Sequence, residues 1–136
     1  MKEMTLEARQ ENVRELTAMV VGELEKLDCP MKAQMQIELA IDEIFTNIVS
    51  YAYVPGTGDA TVRFDFDEAS GMVTLSFADR GVPYDPLKKE DPDVSLPASE
   101  REIGGLGIFL VKKNMDDMRY EYRDGQNLLT LYKKIR

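Results

Sequence analysis

The chain contains no histidine and a single cysteine, and these two shortages exclude several kinds of catalytic site. Without histidine there is no Ser-His-Asp triad, no zinc site built on imidazole and no phosphohistidine intermediate. The single cysteine, Cys29, allows no disulfide within the chain, which is typical of proteins from a reducing cytosol. We expect Cys29, which falls between two predicted helices, to be a small half-buried residue rather than a reactive thiol.

Positive charge and long apolar runs are also scarce. The chain has 25 acidic and 17 basic side chains and a net charge of −8, which argues against non-specific nucleic-acid binding because that needs a basic surface. No apolar run approaches the roughly 20 residues that span a bilayer, and the first residues lack the apolar core of a signal peptide. We therefore expect a cytoplasmic protein that contacts neither nucleic acid nor membrane.

The length and the composition predict one globular domain. A chain of 136 residues with 43% hydrophobic and 31% charged side chains is large enough for one core and ordinary for a globular protein. No internal repeat divides the sequence, so we expect residues 1–136 to form a single domain.

Three segments have the apolar spacing of helices. Residues 10–27 carry apolar side chains at steps of three and four, which places them on one face, and Pro30 suits the start of the next helix. That second helix is expected from about 31 to 53, and a third at about 104–115. The apolar positions predicted for the second helix are Met35, Leu39, Ile44 and Ile48.

Alternating apolar and polar residues predict the strands. Residues 62–66 and 73–77 alternate on either side of a glycine-containing turn, which predicts a hairpin. Residues 117–123 and 127–134 are expected to form a second hairpin around an Asp-Gly turn, and residues 3–8 a short first strand. Because the strands follow one another instead of alternating with helices, we predict an α+β fold. This is a two-layer α/β sandwich with three helices on one face of a mainly antiparallel sheet.

Glu43 and Asn47 are four residues apart on the second predicted helix and therefore project from one face. Ile44 and Ile48 mark the neighbouring apolar stripe, so we expect the pair near the interface between helix and sheet, where an unpaired carboxylate is costly. An amide oxygen is a good Mg²⁺ ligand, and a carboxylate one turn away can accept the proton of an attacking hydroxyl group. Taken alone, the pair is more often an exposed Glu beside an Asn that decorates the helix, and this alternative stays open.

Asp79 shares the parity of Val73, Leu75 and Phe77, so we expect its side chain on the buried face where the strand ends. A carboxylate in that place needs a hydrogen-bond donor, and the exocyclic amine of adenine is one candidate. Gly81 would let the backbone pass close to a base ring, because it has no side chain. A plain turn after a strand is the alternative, since Asp-Arg-Gly is a common turn composition.

Gly104, Gly105 and Gly107 cluster at the start of the third predicted helix. Glycine destabilises a helix interior by about 1 kcal/mol per residue, so three within four residues need an explanation. Free N–H groups and the positive end of the helix dipole suit such a start to phosphate groups, while a flexible hinge would explain the glycines equally well. Residues 80–102 precede this helix as a long proline-containing loop, of a length that is usually functional or mobile.

In this order, the three motifs resemble those of the GHKL ATPases, and more closely those of the anti-sigma-factor serine kinase branch with its histidine-kinase-like ATPase domain. Residues 43–53 resemble that branch's Glu-x-x-Thr-Asn-x-x-x-His-Ala-Tyr stretch, with Tyr51 in place of the His. Residues 79–81 resemble its Asp-x-Gly strand end, and residues 104–110 its Gly-Gly-x-Gly-Leu-Phe-Leu helix start. The resemblance extends from the first helix to the last strand.

This resemblance implies a protein serine/threonine kinase that uses ATP and Mg²⁺. By that resemblance Asn47 would hold the metal and Glu43 would be the general base, while Asp79 and Gly81 would bind adenine. The residues implied to line the phosphate groups are Gly104, Gly105, Leu106 and Gly107.

The resemblance also implies a lid, partners and an assembly. The lid over ATP would be residues 84–102. Members of this branch phosphorylate a serine of a STAS-domain anti-anti-sigma protein, bind a sigma factor in the alternative state, and are usually homodimers. We therefore expect an anti-sigma-factor kinase that regulates transcription. The alternative is a nucleotide-dependent binding module that regulates a partner protein without phosphoryl transfer.

Overall fold

The computed structural model describes residues 1–88 and 105–136. Within these residues, three helices pack on one face of a five-stranded antiparallel sheet, so the predicted α+β two-layer sandwich is confirmed. The helices are α1 (Val13–Lys26), α2 (Met31–Asn47) and α3 (Gly105–Asn114). The strands are β1 (Lys2–Glu7), β2 (Asp59–Asp67), β3 (Met72–Asp79), β4 (Asp117–Arg123) and β5 (Gln126–Lys134).

The sheet has the strand order β1-β2-β3-β5-β4. Both predicted hairpins are present, as the antiparallel pairs β2–β3 and β4–β5, and α3 lies in the connection between them. The central pairing of β3 with β5 sets Asp79 opposite Asn127. This register therefore brings together two polar residues that are 48 positions apart in the chain.

The two N-terminal helices differ from the sequence prediction in their geometry. The predicted helix at 10–27 begins with a turn of 3₁₀ helix, Gln10–Asn12, before α1. The predicted helix at 31–53 is α-helical only to Asn47 and continues as a π-helix over Ile48–Ala52. Short π-helical segments are rare and often occur at functional sites, so this change of geometry makes the end of α2 a candidate functional position.

One hydrophobic core fills the space between the helices and the sheet. The alternation of the strands turns one face of the sheet inward, and α1 and α2 each contribute one buried stripe. Burying a large apolar side chain stabilises the fold by roughly 1.5–3 kcal/mol, so this layer holds the site described below in place. Its largest fully buried side chains include Leu16, Leu24, Ile37, Ile41, Phe45, Leu75, Phe77 and Leu131.

Two of the four apolar positions predicted for the second helix do not reach the core. Met35 and Leu39 are exposed on the outer side of α2, so the prediction was wrong for them, whereas Ile44 and Ile48 are buried. Apolar residues occur on several sides of α2, and periodicity alone does not identify the buried side of such a helix. The α-helical residues that α2 buries are Ala33, Ile37, Ala40, Ile41, Ile44 and Phe45.

Two further expectations can be compared with the structure. Cys29 is half-buried, as expected, and burial raises the pKa of its thiol, so the unreactive protonated form is favoured at neutral pH. None of the helices within residues 1–88 and 105–136 is long and apolar enough to cross a bilayer.

Candidate functional site

A pocket lies between α2 with its π-helical extension and the strands β3, β4 and β5. Most of its wall is apolar, and three polar side chains, those of Asn47, Asp79 and Asn127, converge on it. A concave apolar site with a few convergent polar groups is the usual form of a small-molecule binding site. The apolar wall includes Ile44, Ile48, Ala52, Phe77 and Leu129.

Asp79, at the end of β3, is only 6% exposed. Its Oδ1 accepts hydrogen bonds from the N–H of Gly81 and from Nδ2 of Asn127, both at 2.9 Å. The described residues give Oδ2 no hydrogen-bond partner, and none of their fully buried side-chain oxygens lacks one, so Oδ2 keeps some exposed surface. Asp79 lines the pocket, and we infer that this oxygen faces it. Asp79 therefore presents one fixed carboxylate whose second oxygen can accept a donor from a ligand.

Asn127, which the sequence analysis missed, holds this end of the pocket together. Its Nδ2 donates to Oδ1 of Asp79 and to the carbonyl oxygen of Val82, both at 2.9 Å. Its Oδ1 accepts from the N–H of Tyr84 at 3.2 Å and from the hydroxyl of Tyr120. The position is the first residue of the predicted strand 127–134, beside an Asp-Gly turn, and it shares the parity of the buried leucines of β5. A polar residue with that parity was the signal that could have identified it.

Gly81 is explained by the close packing of the turn that follows β3. A Cβ atom at this position would lie 2.2 Å from the carbonyl oxygen of Ala52, the last residue of the π-helix. That same oxygen accepts a hydrogen bond of 2.8 Å from the N–H of Val82. Glycine thus lets the turn lie directly against the π-helix and shapes the pocket, and its contact with a base stays a prediction.

Glu43 lies where α2 meets the first turn of α3. A Cβ atom on Gly107 would be 2.1 Å from the carboxyl carbon of Glu43, so this carboxyl group packs against the α-carbon of Gly107. Burial raises the pKa of Glu43, and the nearby negative charge of Asp42 raises it further. Glu43 does not line the pocket, but Asn47, one turn further along the same helix, does. A carboxylate with a raised pKa is suited to accept a proton.

Only part of the predicted phosphate site lies within the described residues. Gly105 is the first residue of α3, and Gly107 lies in its first turn against Glu43. Gly104 lies outside the described residues, as do the side chain of Leu106 and residues 89–102 of the predicted lid. The roles assigned to these residues therefore stay predictions.

Tyr51, which stands where the related motif has His, forms part of the pocket wall. Its ring stacks on that of Tyr84, with 5.9 Å between centroids and 30° between planes. Such aromatic pairs contribute about 0.5–1.5 kcal/mol beyond the area they bury. Tyr84 belongs to the start of the predicted lid, so the substitution of Tyr for His gives that segment an aromatic contact with the end of α2.

Comparisons with known proteins identify the family of this chain. Residues 6–133 match the family model of the histidine kinase-like ATPase domain. The chain is 33% identical over 100 residues to the serine/threonine-protein kinase BtrW of Bordetella bronchiseptica, and the aligned region covers 74% of this chain and 70% of BtrW. It is 28% identical over 131 residues to the serine-protein kinase RsbW of Bacillus cereus, and the aligned region covers 93% of this chain and 81% of RsbW.

Among solved structures, the catalytic domain of the histidine kinase ThkA has a TM-score of 0.52 at 13% identity, over 99% of this chain and 98% of that one. At this identity the likeness concerns the fold alone. The resemblance predicted from the three motifs is confirmed by the family match and by the two kinases, whose names also agree with the predicted enzyme class.

Proposed function

Because this chain belongs to the histidine kinase-like ATPase domain family, we propose that it is a serine protein kinase that uses ATP and Mg²⁺. The relatives BtrW and RsbW, which bear such names, support the reaction type. The observation that carries the proposal is the buried carboxylate of Asp79, which has one oxygen fixed and the other open to an apolar pocket.

Asp79 would recognise the base through its open oxygen, Oδ2. This atom would accept a hydrogen bond from the exocyclic amine of adenine, whereas the carbonyl of guanine at the same place would be repelled. Two donors already hold Oδ1, so the carboxylate needs no reorientation when the base enters. Phe77 and Leu129, on the sheet side of the pocket, supply apolar surface for the ring.

The side chains near the end of α2 fit a magnesium ion that is bound largely through phosphate. Asn47 offers one amide oxygen at the pocket wall, and Mg²⁺ in kinase sites commonly takes one or two protein ligands together with waters and phosphate oxygens. When bound, the ion neutralises charge on the phosphate groups. In our proposal Asn47 holds the ion, and the phosphate groups lie towards the first turn of α3, next to Glu43.

Glu43 would act as the general base for phosphoryl transfer. As the serine oxygen bonds to the γ-phosphorus and the bond from phosphorus to the bridging oxygen breaks, the hydroxyl proton would pass to the carboxylate, and ADP would leave. Gly107 has no side chain, which allows the carboxyl group of Glu43 to lie against the start of α3. Most of the rate would come from positioning and charge neutralisation, as in other phosphoryl transfers.

We further propose that the acceptor is a serine of a STAS-domain anti-anti-sigma protein, and that the chain binds a sigma factor in the alternative state. Support comes from the branch that the motifs resemble and from the similarity to serine-protein kinases. A homodimer in the cytoplasm that regulates transcription is the corresponding biological assignment.

The second candidate is a nucleotide-dependent binding module that transfers no phosphate. It is favoured by one observation, the replacement of the motif's His by Tyr51, whose ring packs on Tyr84. This replacement leaves the Glu43 and Asn47 positions unchanged, so the binding module would keep the residues proposed to bind nucleotide and metal.

The test is to incubate the protein with Mg²⁺ and γ-labelled ATP beside each STAS-domain protein of the source genome. We expect one of them to be labelled on serine. Glu43→Ala should abolish labelling while calorimetry still detects ATP binding, and Glu25→Ala, an exposed acid on α1, should leave both unchanged. If the unmodified protein binds ATP but labels no STAS protein, the binding module is the correct function. If it binds no adenine nucleotide, both proposals are wrong.

A further inference from the structure

The outer side of α2 carries three large apolar side chains in one row. Met31 is 65% exposed, Met35 61% and Leu39 41%, and they follow one another at intervals of four residues. Residues at this interval are neighbours on a helix surface, so the three form a continuous outer stripe. Single exposed apolar residues are ordinary, but a contiguous row is typical of an interaction surface.

The core does not require the outer stripe. The opposite side of α2 already fills the core through residues such as Ile37 and Ile41, both almost fully buried. Replacing the stripe residues by polar ones would therefore lower the stability of the fold little. Two of the three stripe residues are methionines, whose flexible side chains can adapt to the surface of a partner.

The outer stripe leads directly to the candidate general base. Leu39 precedes Glu43 by four residues, which is about 6 Å along a helix axis, and Met31 lies about 18 Å from Glu43 along the same axis. A protein that packs on the stripe would thus have part of its surface beside the carboxyl group that is to receive the serine proton.

The charges near the stripe are acidic at the end closest to Glu43. Asp42 is exposed one residue before Glu43, and Glu38 is partly exposed one turn earlier, whereas the basic Lys32 lies at the far end. The charge of Asp42 is close enough to act on Glu43. Basic side chains on a partner would complement this end of the stripe and would orient the partner along it.

We propose that the outer stripe is the docking surface for the protein acceptor. The partner that fits it has an apolar ridge to cover Met31, Met35 and Leu39, and Lys or Arg side chains beside the serine that is phosphorylated. Apolar anchors supply affinity and flanking charges set the register, as in other complexes that use one helix face. This inference rests on the proposed kinase function, which the following experiment tests separately.

The experiment compares Met31→Glu and Met35→Glu, the two stripe positions further from Glu43, with the matched control Ala69→Glu. Ala69 is exposed in the turn between β2 and β3, at the opposite end of β3 from Asp79. For each protein, the KM and kcat of transfer to the labelled STAS protein are measured, together with the Kd of ATP by calorimetry. We expect each stripe variant to raise KM about tenfold or more, equivalent to about 1.4 kcal/mol, with kcat and the ATP Kd unchanged. The control should leave all three values unchanged.

Other results would overturn the docking surface. If both stripe variants keep a KM within twofold of that of the unmodified protein, the stripe does not dock the acceptor. The same conclusion follows if the variants convert a dimer to a monomer in sedimentation with KM unchanged, because the stripe then joins two copies of this chain.

If the unmodified protein binds ATP but labels no STAS protein, the kinase function fails and the docking surface is judged by calorimetric binding of the same STAS proteins in the presence of ADP. Loss of that binding in the stripe variants, but not in Ala69→Glu, supports the surface. Unchanged binding, or no binding by the unmodified protein, contradicts it.

Discussion

Replacement of Asn127 by alanine tests how the pocket is held together. In the native protein this amide connects the end of β3, the turn after it and the edge strand β4. The substitution removes the donor to Asp79 and Val82 and the acceptor for Tyr84 and Tyr120. These partners lie in or beside a largely apolar pocket, so few alternative groups of the protein can replace the amide.

The expected loss of stability follows from these four hydrogen bonds, beside which a longer fifth bond of 3.4 Å from Nδ2 to the carbonyl oxygen of Gly81 counts little. A neutral hydrogen bond contributes roughly 0.5–1.5 kcal/mol net, and one to a charged group such as Asp79 roughly 1.5–3 kcal/mol. Water that enters from the pocket would restore part of this energy. We therefore expect Asn127→Ala to lower the free energy of unfolding by about 3 kcal/mol. For a domain of this size that corresponds to a fall in Tm of about 12 °C.

Urea denaturation and thermal melting measure this loss, with Asn114→Ala as the matched control. Asn114 is half-buried, and its side chain accepts one long hydrogen bond of 3.5 Å from Gln36, so its replacement should cost under about 1 kcal/mol. Asn127→Ala should also weaken the binding of adenine nucleotide, because Asp79 loses one of the two donors that orient it. Equal and small losses for the two variants would refute the argument that Asn127 organises the pocket.

The isosteric variant Asn127→Asp adds a pH test of the same network. It places a second carboxyl group beside Asp79, and the repulsion between the two raises the pKa of the introduced carboxyl group in the folded protein. A carboxyl group whose pKa is raised by folding destabilises the folded protein once the pH rises above its unfolded pKa, because the group then ionises. The deficit relative to the unmodified protein should therefore be larger at pH 7 than at pH 5. A deficit that does not depend on pH would contradict this expectation.

Four other predictions concern the two glycines and Glu43. Gly81→Ala would set a Cβ atom 2.2 Å from the carbonyl oxygen of Ala52. We expect the free energy of unfolding, measured by urea denaturation, to fall by about 1–3 kcal/mol, and nucleotide binding in calorimetry to weaken. Unchanged stability and affinity would contradict the packing argument. Gly107→Ala should displace the carboxyl group of Glu43. The rate of single-turnover transfer should then fall by up to about a hundredfold, with little change in the melting temperature measured by circular dichroism. An unchanged rate would argue against Glu43 as the base. Because the pKa of Glu43 is raised above its ordinary value of 4.5, the transfer rate should fall with decreasing pH at a higher pH than for an ordinary Glu, and Asp42→Asn should move that midpoint to lower pH. The same raised pKa predicts that Glu43→Gln stabilises the nucleotide-free protein at pH 7, where the native carboxylate is destabilised, and that the gain disappears at pH 4.

Local patterns were sufficient for much of the fold. The alternation in β2 and β3 predicted both the hairpin and the inward direction of Asp79, because strand parity is a local property. The same method failed on α2, since Met35 and Leu39 are as apolar as the residues that reach the core, and only the packing of the sheet and α1 decides which side is buried.

The parts of the site that depend on distant segments were not predictable in this way. The sequence places Asn127 at the start of a predicted strand, but only the β3–β5 register sets it opposite Asp79. The contact between Glu43 and Gly107 likewise depends on how α3 packs against α2. The motifs predict which residues carry chemistry, whereas tertiary pairing determines the angle and distance at which they meet.

The strand order has a consequence for the motions of the protein. Strand β4 lies at the end of the sheet order and pairs with β5, and such edge strands open more readily than central ones. The hydroxyl of Tyr120 nevertheless joins β4 to the amide that steadies Asp79. A nucleotide that occupies the pocket should therefore slow amide hydrogen exchange along this peripheral strand. The exchange rates of the β4 amides would then measure the fraction of protein molecules that have nucleotide bound in the pocket.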